Sequence, residues 1–311
     1  MSGRLTGKRV IVTGSTRGLG RAIAVDLAAN GAAVVVNGTD AGRVEAIEAD
    51  ITGAGGVAIG VAGSVSQLDV CEALVARCVE TFGGIDLLVH NAGIVRDRTL
   101  LKMSAEEFDD VIGVHLRGAF GCAKFAAQAM AEAGRGHILN VTSGASLFGA
   151  FGQSNYAAAK GGINGLTRAL TVELAPLGIR VNALSPVAMT DMTQTVLDRM
   201  TALSAASGAQ AELPEFPPAE DVASLVTFLA SDEAPPVNGQ IFEFDGRELA
   251  LWTHPDQVGA VSQDRPWNPA DFAAYFAAPA PLQDLHPGRW GGGVRQSLAT
   301  AAGDGAAWGK R

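Results

Sequence analysis

Tyr156 and Lys160 stand four residues apart in the run NYAAAK, and residues four apart on a helix share one face. A phenol beside an ammonium is an acid/base pair. The cation favours the phenolate, so the expectation is a Tyr156 pKa below its ordinary value of about 10. Thirteen residues earlier, Ser143 follows the β-branched run HILNVT at 137–142. A serine at a strand's carboxyl end can donate a hydrogen bond to a substrate carbonyl and polarise it. Each feature has an ordinary alternative: a solvated helix face for the pair, a strand-end cap for the serine. The elements that would position them decide between these readings.

The first such element is a nucleotide turn. RVIVT at 9–13 reads as a strand, GSTRGLG at 14–20 as a glycine turn, and RAIAVDLAANG as an amphipathic helix stopping at Gly31. Strand, glycine turn and helix are the context of a dinucleotide fingerprint. The glycines let the backbone approach a pyrophosphate, and the helix N-terminus offers it N–H groups. Gly14, Thr16, Arg17, Gly18, Leu19 and Gly20 are the candidate contacts, at GxxxGxG spacing. A second strand, AVVVN at 33–37, ends in Gly38 and Thr39, with no carboxylate until Asp40. An acid there would hold a ribose 2′-hydroxyl, whereas small or basic residues accept a 2′-phosphate. Arg17 is placed to pair with that phosphate, Arg43 less so. The reading favours NADP(H) over NAD(H).

Strands and helices go on alternating: strands at 57–61, 85–90, 137–142, 180–184 and 240–244, with helices between them. IDLLVH is a near-continuous apolar run, as strands of a parallel sheet covered on both faces are. It ends in Asn91-Ala92-Gly93, small enough for a ligand to lie against the backbone. The expected fold is α/β: a Rossmann, doubly wound, seven-stranded parallel sheet with helices on both faces.

Composition narrows the class. The chain has 311 residues and a formal charge of −9, which argues against nucleic acid or an anionic membrane as partner. No apolar run approaches the ~20 residues of a membrane span. Three cysteines (Cys71, Cys78 and Cys122) form no disulfide framework, and no His/Cys cluster suggests a metal. The expectation is a soluble, cytoplasmic protein.

Residues 4–250 resemble the short-chain dehydrogenase/reductase family. The motifs that carry the resemblance, in order, are TGSTRGLG at 13–20, NAG at 91–93, Ser143, the Tyr156/Lys160 pair, and NALSP at 182–186 followed by Thr190. The resemblance implies hydride transfer with a nicotinamide, interconverting a ketone and a secondary alcohol. It implies that Tyr156 protonates the carbonyl oxygen, Lys160 lowers its pKa and holds the nicotinamide ribose, and Ser143 orients the carbonyl. By that resemblance Gly14, Thr16, Arg17, Gly18, Leu19, Gly20, Gly38, Thr39, Ser64, Asn91, Ala92, Gly93, Tyr156, Lys160, Pro186 and Thr190 become the cofactor residues. Three positions depart from the family pattern. His115 stands where an asparagine usually completes a proton relay, Ser64 replaces an adenine-contacting aspartate, and Val187 replaces a glycine after Pro186.

VRDRTLLKMSAEEFDDVIGVHLRGAF and FGQSNYAAAK resemble (R)-3-hydroxyacyl-CoA dehydrogenases, 3-oxoacyl thioester reductases and hydroxysteroid dehydrogenases. The leading expectation is a 3-oxoacyl/3-hydroxyacyl thioester, CoA or acyl carrier protein, as substrate. A hydroxysteroid or other bulky alcohol is the alternative, and a non-catalytic NADP-binding regulator is the reading from a different class. A homodimer or homotetramer pairing helices at 104–130 and 154–176 is implied as well. Residues 188–218 are expected to form a substrate lid, with Met189, Met192 and Met200 available to line an apolar pocket. Residues 251–311 form an extension that carries all four tryptophans. It is expected to be partly ordered, with a capped helix starting at Asn268 or Pro269, and to cover the site or a subunit interface.

Overall fold

The computed structural model describes residues 3–190, 193–194, 197–198, 201, 216–234, 236–252, 254–255 and 263–277. The chain begins with β1 (Arg9–Val12), α1 (Gly18–Ala29), β2 (Ala33–Gly38), α2 (Ala41–Gly53), β3 (Val57–Ala62), α3 (Leu68–Phe82) and β4 (Leu87–His90). It continues through α4 (Ala105–Ile112), a π-helical turn (Gly113–Arg117), α5 (Gly118–Ala133), β5 (Gly136–Val141), α6 (Ala145–Phe148), α7 (Ser154–Leu174) and β6 (Ile179–Pro186). The last described elements are α8 (Ala219–Ala230), β7 (Ile241–Phe244), β8 (Leu249–Leu251) and α9 (Pro269–Ala277).

The strands lie in the order β3-β2-β1-β4-β5-β6-β7-β8. β1 to β7 pair in parallel. Strand order reverses between β1 and β4, and such a switch point opens a crevice at the strands' carboxyl ends. Both faces of the sheet are buried, which is why the central strands read as unbroken apolar runs. Val10, Val12, Val34, Val36, Leu87 and Val89 point to the α1 and α8 side. Ile11, Val35, Leu88, Ile138 and Val181 point to the opposite core with α3 and α5.

Two expectations need correction. The sheet has eight strands, because β8 adds antiparallel to β7 with Phe242 opposite Leu251 and Phe244 opposite Leu249. An Asp245-Gly246 turn makes that hairpin: Asp245 Oδ1 accepts from the Arg247 and Glu248 amides at 2.8 and 2.6 Å. The helix expected over 104–130 is interrupted. α4 opens with a capping box between Ser104 and Glu107, then widens into the π-turn that carries His115.

Candidate active site

The glycine turn follows β1 and folds against β4. Gly14 has φ +62°, and a Cβ there would stand 2.7 Å from the Ala92 Cα, so only glycine allows the two segments to meet. Asn91 Nδ2 donates to the carbonyls of Thr13 and Gly14, both at 3.0 Å. Arg17 is the N-cap of α1, whose first turn has no acidic residue and no side-chain cap. Its N–H groups therefore suit an anion. Leu19 is buried in the core beneath the turn. Thr190 lies against the turn as well, since a Cβ on Gly18 would meet its side chain at 3.7 Å. Pro186 ends β6 opposite Phe244.

At the end of β2, a Cβ on Gly38 would come within 2.5 Å of Thr16 Cγ2, so any larger residue there would require the Thr16 side chain to shift. Thr39 is exposed. Asp40 caps α2, accepting from the Arg43 amide at 3.0 Å. Ser64, after β3, shares a 2.9 Å hydrogen bond with Ser66. The glycine turn, Asn91 to Gly93 and Thr190 are thus gathered at one edge, and their fit is that of a dinucleotide cradle.

Ser143, Tyr156 and Lys160 lie along the same carboxyl edge. Ser143 leaves β5 directly, and its backbone is tied to α7 by a polar chain. Ser146 Oγ donates to Ser143 O at 2.6 Å, Asn164 Nδ2 to Ser146 Oγ at 2.9 Å, and Thr142 Oγ1 to Asn164 Oδ1 at 2.7 Å. Ser143 faces the Tyr156 phenol closely enough to favour its ionised form. Lys160 is buried, donates to Val141 O at 2.6 Å, and its Nζ lies 5.6 Å from the Tyr156 ring centroid.

The expected depression of the Tyr156 pKa does not hold. Burial pushes the phenol up to about 12, the neighbouring Ser143 opposes the rise, and the charge of Asp97 adds to it. Burial also brings Lys160 down to about 7.

His115 is buried, and its ring stands edge-on to Tyr156 with centroids 5.2 Å apart. Its Nε2 lies 3.0 Å from the Ile94 amide nitrogen and 2.8 Å from the Ile94 oxygen, next to Gly93. Burial first, and the charge of Lys160 second, hold its pKa well below the imidazole norm. His90 is a site residue that sequence reasoning missed, standing at the end of an apolar strand run. Its Nε2 contacts His115 O at 3.1 Å and its Nδ1 contacts Thr13 Oγ1 at 3.4 Å. Thr13 Oγ1 accepts from the Asn91 and Ala92 amides, leaving its own proton for His90 Nδ1. His90 thereby links the nucleotide turn to the π-turn beneath Tyr156. Asn155 is equally central. Its Nδ2 donates to Arg96 O and Glu107 O at 3.0 and 3.1 Å, while its Oδ1 accepts from the Tyr156 amide at 2.8 Å.

In the segment expected to form a lid, the Met189 amide donates to Pro217 O at 2.7 Å; Met192, Met200 and 202–215 lie outside the described residues. In the extension, the Trp252 amide donates to Ile241 O at 3.0 Å and its ring meets Phe148 at 5.0 Å. α9 is capped by Asn268, whose Oδ1 accepts from the Ala270 amide at 2.9 Å. Trp290 and Trp308 lie outside the described residues. Among the described residues, no helix is long and apolar enough to cross a membrane, and no His, Cys, Asp and Glu are grouped to hold a metal.

A doubly wound sheet with a glycine turn and a Ser/Tyr/Lys set at one edge defines a nicotinamide-dependent oxidoreductase of alcohols and carbonyls. Comparison with known proteins agrees. A family model described as enoyl-(acyl carrier protein) reductase matches residues 14–246. Hydroxyacyl-CoA dehydrogenase ChsB1 of Mycobacterium tuberculosis is 41% identical over 299 residues, covering 90% of this chain and 92% of that protein. The 3-oxoacyl-[acyl-carrier-protein] reductase FabG of Staphylococcus aureus is 38% identical over 241 residues, covering 77% and 97%. The crystal structure of a short chain dehydrogenase from Mycobacterium avium superposes with a TM-score of 0.77 at 38% identity, covering 88% of this chain and 95% of that one. The chain belongs to the short-chain dehydrogenase/reductase family.

Proposed function

We propose that this protein interconverts a 3-oxoacyl and a 3-hydroxyacyl thioester with NADP(H), using Tyr156 as the acid/base. The observation that carries the reading is the placement of Tyr156 one helical turn from buried Lys160, whose Nζ lies 5.6 Å from the phenol ring centroid, at the sheet edge shared with Ser143 and the glycine turn. In reduction the Tyr156 hydroxyl gives its proton to the carbonyl oxygen while Ser143 donates a hydrogen bond to the same oxygen. In oxidation the Tyr156 phenolate takes the alcohol proton. The bound nicotinamide supplies or takes the hydride. With its pKa near about 12, Tyr156 is protonated at neutral pH, the form that reduction needs. His115, neutral across the working range, acts at the relay position by holding the Tyr156 ring and the Ile94 backbone.

The thioester is supported by the relatives' names, which give a hydroxyacyl-CoA and a 3-oxoacyl-[acyl-carrier-protein]. The CoA-linked relative matches 90% of the chain against 77% for the other, which favours CoA. NADP(H) is supported by Gly38, which places no carboxylate at the end of β2, and by Asp40, which is engaged as a helix cap. A homo-oligomer in the cytoplasm completes the reading. Exposed Phe120 on α5 and Val172 on α7 are apolar enough to pack against a second copy.

The test follows nicotinamide absorbance with acetoacetyl-CoA and with a ketosteroid. The reading predicts turnover of the thioester and none of the steroid. Turnover of the steroid alone would overturn the substrate assignment.

A further inference from the structure

Ser143 leads at once into α6, a four-residue helix between Gly144 and a Gly149 with φ +72°. One turn of helix has too few internal bonds to hold itself, so its place depends on what grips its two ends. The Ser146 and Asn164 side chains grip the first end through Ser143 O. The Ser143 hydroxyl belongs to that end as well. Its Oγ accepts from the Ala145 amide at 3.3 Å, which leaves its own proton for a substrate oxygen. At the far end, Phe148 meets Trp252 with ring centroids 5.0 Å apart and planes at 66°. Trp252 is the first residue after β8, and the bond from its amide to Ile241 O at 3.0 Å fixes it to the sheet. The start of the C-terminal extension thus ends in a ring that grips the turn behind Ser143.

We propose that Trp252 is a positioning residue: through Phe148 it holds α6, and so Ser143, where the hydroxyl polarises the substrate carbonyl. Its effect reaches the reaction only through Ser143, so it belongs to the chemical step and not to the binding of cofactor or carrier. A donor aimed at charge that develops in the transition state acts through its exact placement. Loosening it lowers kcat and leaves KM. The proposal rests on the reading of Ser143 as the donor to the carbonyl, and a Ser143→Ala arm tests that reading separately.

Two measurements test it. The first is hydrogen exchange of the 147–149 amides, which bond to Gly144 O and Ala145 O inside the turn. In Trp252→Ala their exchange should quicken about two- to tenfold, the contribution of one edge-to-face aromatic pair, while the glycine turn at 14–20 exchanges as in wild type. Trp252→Phe keeps a ring for Phe148 and should restore the protection. Unchanged exchange at 147–149 in Trp252→Ala overturns the proposal, and this arm needs no substrate. The second is a double-mutant cycle on acetoacetyl-CoA reduction. Trp252→Ala should lower kcat about two- to tenfold with both KM values within about twofold. Phe148→Ala, which removes the contact from its other side, should do the same. In a Ser143→Ala background, Trp252→Ala should have no further effect. Equal losses from Trp252→Ala in both backgrounds overturn the proposal, because the ring then acts elsewhere. A Ser143→Ala protein with undiminished kcat overturns the reading of Ser143 and the proposal with it.

Discussion

Tyr156 is subject to three opposing influences, and burial is the largest. Lys160 shares its helix face as the sequence implies, yet the same burial that raises the phenol to about 12 lowers the amine to about 7. The phenol is therefore neutral at neutral pH, and burial makes Lys160 easier to deprotonate than an exposed lysine. Arg17 is the other residue whose role can be tested singly. It caps α1 at the glycine turn, opposite a β2 end that offers no carboxylate. Arg17→Ala should weaken NADPH binding more than tenfold and NADH binding less than threefold, the loss of about one charge-assisted phosphate contact. Titration of the reduced cofactors' fluorescence measures both, and equal losses would refute the phosphate assignment.

Among the elements, the start of α7 is held least by its own sequence and most by distant chain. Asn155 is fully buried and satisfies two carbonyls and the Tyr156 amide. Asn155→Ala leaves those groups without partners, which costs about 2–4 kcal/mol. The urea midpoint should fall accordingly, and kcat should fall with it because Tyr156 loses its anchor. An unchanged midpoint would show that the 94–98 segment does not depend on this side chain. The contrast with what was legible is instructive. The glycine turn and the Tyr/Lys pair are local patterns, set by spacing within one turn or one helix, and the sequence displays them directly. Asn164 extends the same four-residue face, and that spacing was a signal that could have found it. The Asp245-Gly246 pair was likewise a hairpin signal for β8. His90 with His115, and Asp97 with Gln153, are 25 and 56 residues apart, and only the strand order brings them together. The fate of the Tyr156 pKa was illegible for a related reason, because burial is a property of the assembled sheet and not of the helix.

At the scale of the whole molecule, the buried histidines set how stability depends on pH. Burial holds His90 and His137 near about 3 and His115 well below its usual value. An unfolded chain binds those protons near pH 6.5, so acid favours the unfolded state. Their contribution is fully present above about pH 6.5 and declines as pH falls toward the folded values, by about 1.4 kcal/mol per pH unit for each histidine. Urea midpoints measured from pH 7 to pH 4 should fall steadily. A flat profile would mean that these imidazoles are not held neutral.

The central claim is that Tyr156 carries the proton at an edge where the sheet assembles cofactor, Ser143 and Lys160. Its most direct test is the rate of NADPH oxidation with acetoacetyl-CoA in the wild-type protein and in Tyr156→Phe. The phenylalanine keeps the ring and removes only the hydroxyl. The account predicts that NADPH still binds while kcat falls by about 10²–10⁴-fold; a kcat within a few fold of wild type would contradict it.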